Sequence, residues 1–453
     1  MSFSGLGKYD RDTGFVKGTV SVTAEPYTLA MDRGRSFQLD REDQDETGIA
    51  DLAGQVMGEF VRTQVVPEID AYVLSKLGGY AATAEQTVTG TSATDYKTLF
   101  ELIHQAKDIS TDGLYKEAEQ NLRELFSLPE DYTVIFFLGG ASAAMDAVMW
   151  SLVKNSVSGL AFGAFSKLWG QKILSRLEPN VVRSVRESAD GEFFPKEKPD
   201  YNASLVFLTP NETSTGVQIP DEYLEEAWKA KGPDTLIAWD CTSCAGGRLL
   251  PKNQFDIMVF SMQKCFGVGG GSSVIILSPA AVKRAEEVKK YRSVPYALDL
   301  TAAIDKAQTK CQTVNTPSTT NIWMFNEACK WMNANGGLKA MDALCRQHAQ
   351  FLLDWAKKSD YLAPLVQNEK FRSYTTLTLE VTDPSIKDAD ISAALKATGR
   401  ANLADGIKKY SSVKQNSLRI ACFPFVDIQG TSEYQKLAET VDDIVRQLKE
   451  QPK

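Results

Sequence analysis

Lys264 lies between two apolar runs, Ile257 to Phe260 and Val274 to Leu277, and is followed closely by the glycines of GVGGGS. A lysine leaving a buried strand into a glycine turn is poorly placed for full solvation, and a desolvated amine has a lowered pKa. Such amines act as nucleophiles, most often by Schiff-base formation with a carbonyl substrate or with pyridoxal phosphate. The competing reading is a strand-end lysine whose stem reaches out to water. Asp240 ends the run TLIAWD. A carboxylate at the carboxyl end of a parallel strand stands where such sheets bind ligands, and beside a pyridine ring it would keep the ring nitrogen protonated. It could also serve as a helix N-cap. Third is the turn Leu138-Gly139-Gly140-Ala141-Ser142-Ala143-Ala144-Met145 between a strand and a helix, where small residues let backbone N–H groups approach a phosphate. Steric demand for glycine in a tight turn explains the same residues.

Other chemistries find little support. GVGGGS has Ser272 where a dinucleotide loop needs its third glycine, and a strand follows it. No phosphate-binding P-loop is present. Cys241 and Cys244 form an isolated C-x-x-C, and the chain has only two histidines, His104 and His348, which weighs against zinc sites and histidine triads. No metal is expected. The formal net charge of −8 and the pI near 5.2 exclude a nucleic-acid surface. No apolar run reaches the ~20 residues of a membrane helix. All seven cysteines fall at or after Cys241, in no disulfide-like spacing, so a reduced cytoplasmic protein is expected.

These residues need a scaffold. From Leu114 onward, helical patterns alternate with short apolar runs. LYKEAEQNLRELFSL carries Leu114, Ala118, Leu122 and Leu125 on one stripe, and ASAAMDAVMWSLV reads as a second helix. YTVIFFLGG, SGLAFGAF, SLVFLTPNE, TLIAWD, DIMVFSMQK and SSVIILS read as buried strands of a mostly parallel sheet covered on both faces. After Gly336-Gly337 comes another helix, and the strands near SYTTLTLEV and SLRIACFPF complete a smaller α/β domain. Residues 1–110 read differently. Alternating strands come first, then a helical pattern from Asp51 to Leu77, then a short helix from Tyr96 to Lys107.

The ordered set of motifs resembles fold-type I pyridoxal-phosphate enzymes of aminotransferase class V, and within them the phosphoserine aminotransferases, from about Leu114 to the carboxyl terminus. That resemblance implies pyridoxal 5′-phosphate as cofactor, amino-acid and keto-acid substrates, and a homodimer. In FLGGASAAM it places Ala141 and Ser142 on the phosphate, and in GAFSKLW it places Phe165 or Ser166 over the cofactor ring. Thr213 of TPNETSTG falls on a cofactor-contacting threonine, Asp240 on the pyridine-nitrogen partner, Gln263 on a phosphate contact and Lys264 on the Schiff-base lysine. Asn315 and Thr316 of VNTPST fall on a loop lent by the partner subunit. Arg419 of SLRIACFPF falls on the arginine that holds the substrate carboxylate. The family's His-Arg pair for the substrate phosphate precedes its first shared helix, where this chain reads QAKDISTDG.

Upstream, DRGRSF and VVPEIDAY carry a resemblance over about residues 5 to 107 to a fragment of tailed-phage major capsid proteins, which implies an α+β segment standing where the enzyme family's arm would be. The expected domains are therefore 1–110 capsid-like, 111–335 large and cofactor-binding, and 336–453 small. The expected activity is phosphoserine:2-oxoglutarate amino transfer, as in serine biosynthesis. The alternatives are another class-V activity on alanine or serine, or a non-enzymatic fusion.

Overall fold

The computed structural model describes residues 2–3, 20–21, 111–173, 180–189, 192–428 and 430–450. The chain divides into two compact units, Met1–Ser92 and Ala93–Lys453. Within the first, the described residues are two short antiparallel strands, β1 (Ser2–Phe3) and β2 (Val20–Ser21). The helices expected at 51–77 and 96–107, and the other amino-terminal strands, lie outside the described residues.

The second unit is built on a seven-stranded sheet. Its strands are β3 (Thr133–Leu138), β4 (Ser156–Ala161), β5 (Val182–Glu187), β6 (Leu205–Leu208), β9 (Leu236–Asp240), β10 (Ile257–Ser261) and β11 (Ser272–Leu277), in the spatial order β3-β11-β10-β9-β6-β4-β5. A two-residue hairpin, β7 (Asn211–Glu212) with β8 (Val217–Gln218), follows β6. Every residue of β6, β9, β10 and β11 is buried. That is why these runs are apolar except at their ends rather than alternating: helices lie on both faces. All pairings from β5 across to β10 are parallel. Strand β11 alone is reversed, antiparallel to both β10 and β3, so β3 points the same way as the parallel five.

Helix Thr111–Phe126 packs along helix Thr319–Ala334. Its core stripe is Tyr115, Ala118, Leu122 and Leu125, with Leu114 only half-buried. Tyr115 takes the inner place because its hydroxyl reaches the Val134 carbonyl at 2.9 Å, which satisfies its polar end inside the core. The run SGLAFGAF is strand only to Ala161, and Ala164–Lys167 forms a helical turn that continues as a π-helical stretch, Leu168–Ile173.

A second core gathers around the antiparallel sheet β12 (Leu362–Pro364), β13 (Thr376–Val381) and β14 (Ser417–Ala421), with helices Asp388–Ala397 and Ser432–Glu450. Helix Gly337–Lys358 belongs to both cores: Met341 packs in the first, and Cys345, Ala349 and Leu352 in the second. Among the described residues no helix is long and apolar enough to cross a membrane, and no group of three or more His, Cys, Asp or Glu is arranged to hold a metal ion.

Candidate active site

Because β3, β4, β6, β9 and β10 run the same way, their carboxyl ends lie along one edge. The segments leaving that edge carry Ala141 and Ser142, Phe165, Thr213, Asp240 and Lys264 respectively. This is the edge at which open parallel sheets bind ligands.

After β3, Gly139 takes the left-handed φ of +94°, and a Cβ there would lie 2.8 Å from that of Ala143. Its N–H donates to the Gly271 carbonyl at 2.9 Å. Gly140 precedes helix Ala141–Leu152 and lends no side-chain cap, and the positive end of the helix dipole lies at this edge. The Ala141 N–H donates to Ser261 Oγ at 2.8 Å, which ties the turn to the end of the lysine's strand. Ser142 is exposed.

Asp240 is 3% exposed. Its Oδ1 accepts from the Thr242 N–H at 3.1 Å and the Thr242 hydroxyl at 2.6 Å, a capping geometry, yet turns rather than a helix follow. It makes no ion pair among the described residues. Burial pushes its pKa up to about 6 against the downward pull of Thr242, and the Glu212 carboxylate adds to the rise. The neighbouring Cys241 and Cys244 are both buried, and burial drives the Cys241 thiol far above its usual pKa, the opposite of a reactive thiolate.

Lys264 is half-buried three residues beyond β10. Burial lowers its pKa, and the charge of Arg419 lowers it further. No carboxylate pairs with it among the described residues. Gln263 beside it is exposed, and Thr213 is buried. The glycine run turns back into β11, with Asn321 Nδ2 donating to the Gly270 carbonyl at 3.1 Å and to Ser272 Oγ at 3.0 Å. A reversed strand, and no helix, therefore follows the run.

Arg419 projects from β14, its guanidinium carbon 4.9 Å from the Tyr410 ring centre. Phe165 meets the same ring edge-on at 5.2 Å, so Tyr410 links the large sheet's edge to the strand of Arg419. Of the two candidates in GAFSKLW, only Phe165 offers a ring. The Ser166 hydroxyl is buried and accepts from the N–H groups of Phe162 at 2.9 Å and Gly163 at 3.0 Å. Asn315 and Thr316 are exposed in the loop before helix Thr319–Ala334, where they line a surface cavity of about 310 Å³ with Tyr115. No side-chain hydrogen bond or ion pair joins them to the other candidates among the described residues.

Sequence reasoning passed over Ser261, Tyr410, Thr242 and Glu212. A serine closing an apolar strand and an acid inside TPNETSTG were the available signals. The contacts themselves join residues as much as 245 positions apart, as Tyr410 meets Phe165.

The family model of the class-V aminotransferases matches residues 82–408. The chain belongs to the class-V aminotransferases. The match begins inside the segment read as capsid-like. A phosphoserine aminotransferase of Corynebacterium glutamicum (strain R) is 34% identical over 328 residues, which cover 72% of this chain and 83% of that one. A putative phosphoserine aminotransferase of Mycobacterium avium is 34% identical over 340 residues, 74% and 86% of the two chains. Among solved structures, a phosphoserine aminotransferase from Cytophaga hutchinsonii superposes with a TM-score of 0.66 at 25% identity, covering 77% of this chain and 95% of that one.

This aminotransferase works with pyridoxal phosphate, and its residues fit that group. The donor set is complementary: the positive end of a helix behind a glycine turn for a phosphate, a buried carboxylate lacking a cation for the pyridine nitrogen, and a lysine of lowered pKa for the aldehyde. Once bound, the cofactor supplies an electron-withdrawing ring that acidifies the substrate's α-carbon.

Proposed function

We propose that this aminotransferase moves the amino group between phosphoserine and 2-oxoglutarate. The observation that carries the reading is a set of three charged groups, Asp240, Lys264 and Arg419, that are half-buried or buried and make no ion pair among the described residues. Buried charges without a counter-charge are costly, so a site that keeps three of them keeps them for a charged ligand. Phosphoserine is the named substrate of the curated relatives.

In this reading Ala141, Ser142, Thr213 and Gln263 hold the cofactor phosphate and its surroundings, Phe165 covers the ring, and Asp240 keeps the ring nitrogen protonated. Lys264 Nζ anchors the cofactor and, once freed by the amino donor, removes the proton from the substrate's α-carbon. Arg419 binds the α-carboxylate and orients that proton toward the lysine. Residues 111–335 and 336–453 serve as large and small domains, a division supported by the two hydrophobic cores. Asn315 and Thr316, exposed and unbonded to the other candidates, serve the site of a second copy in a homodimer. A cytoplasmic setting fits seven cysteines that are all free. The capsid-like reading of residues 5–107 rests on DRGRSF and VVPEIDAY, which both precede the class-V match that begins at residue 82; particles under the electron microscope would bear it out, and their absence would count against assembly.

QAKDISTDG in place of a His-Arg pair favours a second reading, transfer from an unphosphorylated amino acid such as alanine. Turnover of phosphoserine and alanine, each with 2-oxoglutarate, separates the two. Purified protein given pyridoxal phosphate should show a visible absorption band that is lost in Lys264→Ala. No such band in the unmodified protein overturns the enzyme reading.

A further inference from the structure

Glu212 is fully buried, and none of the roles above uses it. It lies in β7, one residue before Thr213. Its Oε2 accepts from the Ser166 N–H at 2.8 Å and the Ser166 hydroxyl at 2.8 Å. Its Oε1 accepts from the Phe165 N–H at 3.4 Å, the Ser214 N–H at 3.0 Å and the Ser214 hydroxyl at 2.7 Å. Ser214 Oγ also accepts from the Ala164 N–H at 2.8 Å, so three successive amides of the turn Ala164–Lys167 are held by Glu212 and its neighbour. The fit leaves no spare room, since a Cβ on Gly163 would come within 2.2 Å of Glu212 Cγ.

The α-helical turn Ala164–Lys167 runs straight on into a π-helical stretch, Leu168–Ile173, and its first amides have no partner earlier in the helix. Here a carboxylate, whose hydrogen bonds are roughly twice as strong as neutral ones, fixes it from outside. That carboxylate belongs to the segment bearing Thr213, and the turn it fixes bears Phe165.

We infer that Glu212 is a positioning residue of the cofactor site: it docks the turn carrying Phe165 onto the segment carrying Thr213, so that both faces are set before any ligand arrives. This rests on the cofactor reading of Phe165 and Thr213. Its fixing of the turn is testable without the cofactor. An isosteric amide at 212 keeps the shape but turns an N–H₂ group toward donors it cannot accept, leaving them unpaired.

Glu212→Gln should raise the dissociation constant for pyridoxal phosphate about tenfold in the otherwise native chain, the effect of roughly one well-made buried hydrogen bond. In a Phe165→Ala background the same change should raise it less than about threefold, because Glu212 acts through Phe165. Hydrogen exchange of the cofactor-free protein supplies the second measurement. The Phe165 and Ser166 amides should lose at least about tenfold protection in Glu212→Gln, while those of Leu205–Leu208 stay unchanged. Glu212→Asp should recover part of both effects. Equal fold-changes in the two backgrounds, or unchanged exchange at Phe165 and Ser166, overturn the inference. If the native chain binds no pyridoxal phosphate, the functional reading fails, and exchange alone decides whether Glu212 fixes the turn.

Discussion

Replacing Asp240 by asparagine tests the electrostatics of the site without any turnover assay. Burial raises its pKa to about 6 in the folded chain, against an ordinary value of 3.8. Between those two values the folded state holds a proton that the unfolded state has released. Each unit of difference corresponds to 1.36 kcal/mol, so ionised Asp240 costs the cofactor-free fold roughly 3 kcal/mol relative to its protonated form. The sign follows from the raised pKa. The stability of the native chain relative to Asp240→Asn is highest below about pH 4, falls as pH rises toward about 6, and is level above that. Urea unfolding of both cofactor-free proteins at a series of pH values from 4 to 8 reads this difference directly. Pyridoxal phosphate should reverse the ranking above pH 6, because a cation at the ring nitrogen gives the ionised carboxylate its partner. Parallel pH profiles for the two proteins would refute the reasoning, since Asp240 would then titrate as if solvated.

Three further substitutions probe the rest of the site. Arg419→Met removes the cation proposed for the substrate carboxylate and should lower kcat/KM by about 30-fold or more, on the ~2 to 5 kcal/mol of a buried charge contact. It should also raise the pKa of Lys264, whose depression owes part to Arg419, which amine-reactivity profiles against pH would register. Gly139→Ala puts a Cβ 2.8 Å from that of Ala143 on a backbone at φ +94°, and thermal melting should show a loss of about 1 to 3 kcal/mol. Ser261→Ala leaves the Ala141 N–H without its acceptor. A stability loss of about 1 to 3 kcal/mol, seen by urea unfolding, and weaker cofactor binding are expected.

What the sequence disclosed and what it hid follow physical lines. Lys264, Asp240 and the Gly139 turn stand at the ends of apolar runs. A charged or flexible residue closing a buried strand is a local signal. The direction of SSVIILS was not legible, because a strand buried on both faces is apolar whichever way it runs, and β11 proved to be the reversed one. SGLAFGAF looked like one strand because Phe162 and Phe165 prolong its apolar character. The break at Gly163 comes from Glu212, 49 positions away, which no periodicity could announce. Tyr410 stayed hidden for the same reason, since its importance lies in meeting Phe165 and Arg419 at once. The small domain was visible in outline from its two strand runs, but its sharing of helix Gly337–Lys358 with the large core was not.

The most direct measurement is chemical. Protein incubated with pyridoxal phosphate is reduced with borohydride, digested and mapped by mass spectrometry. A pyridoxyl adduct on the peptide containing Lys264, absent from Lys264→Ala, is the expected result. An adduct confined to other lysines, or none at all, would contradict the placing of the cofactor at the end of β10.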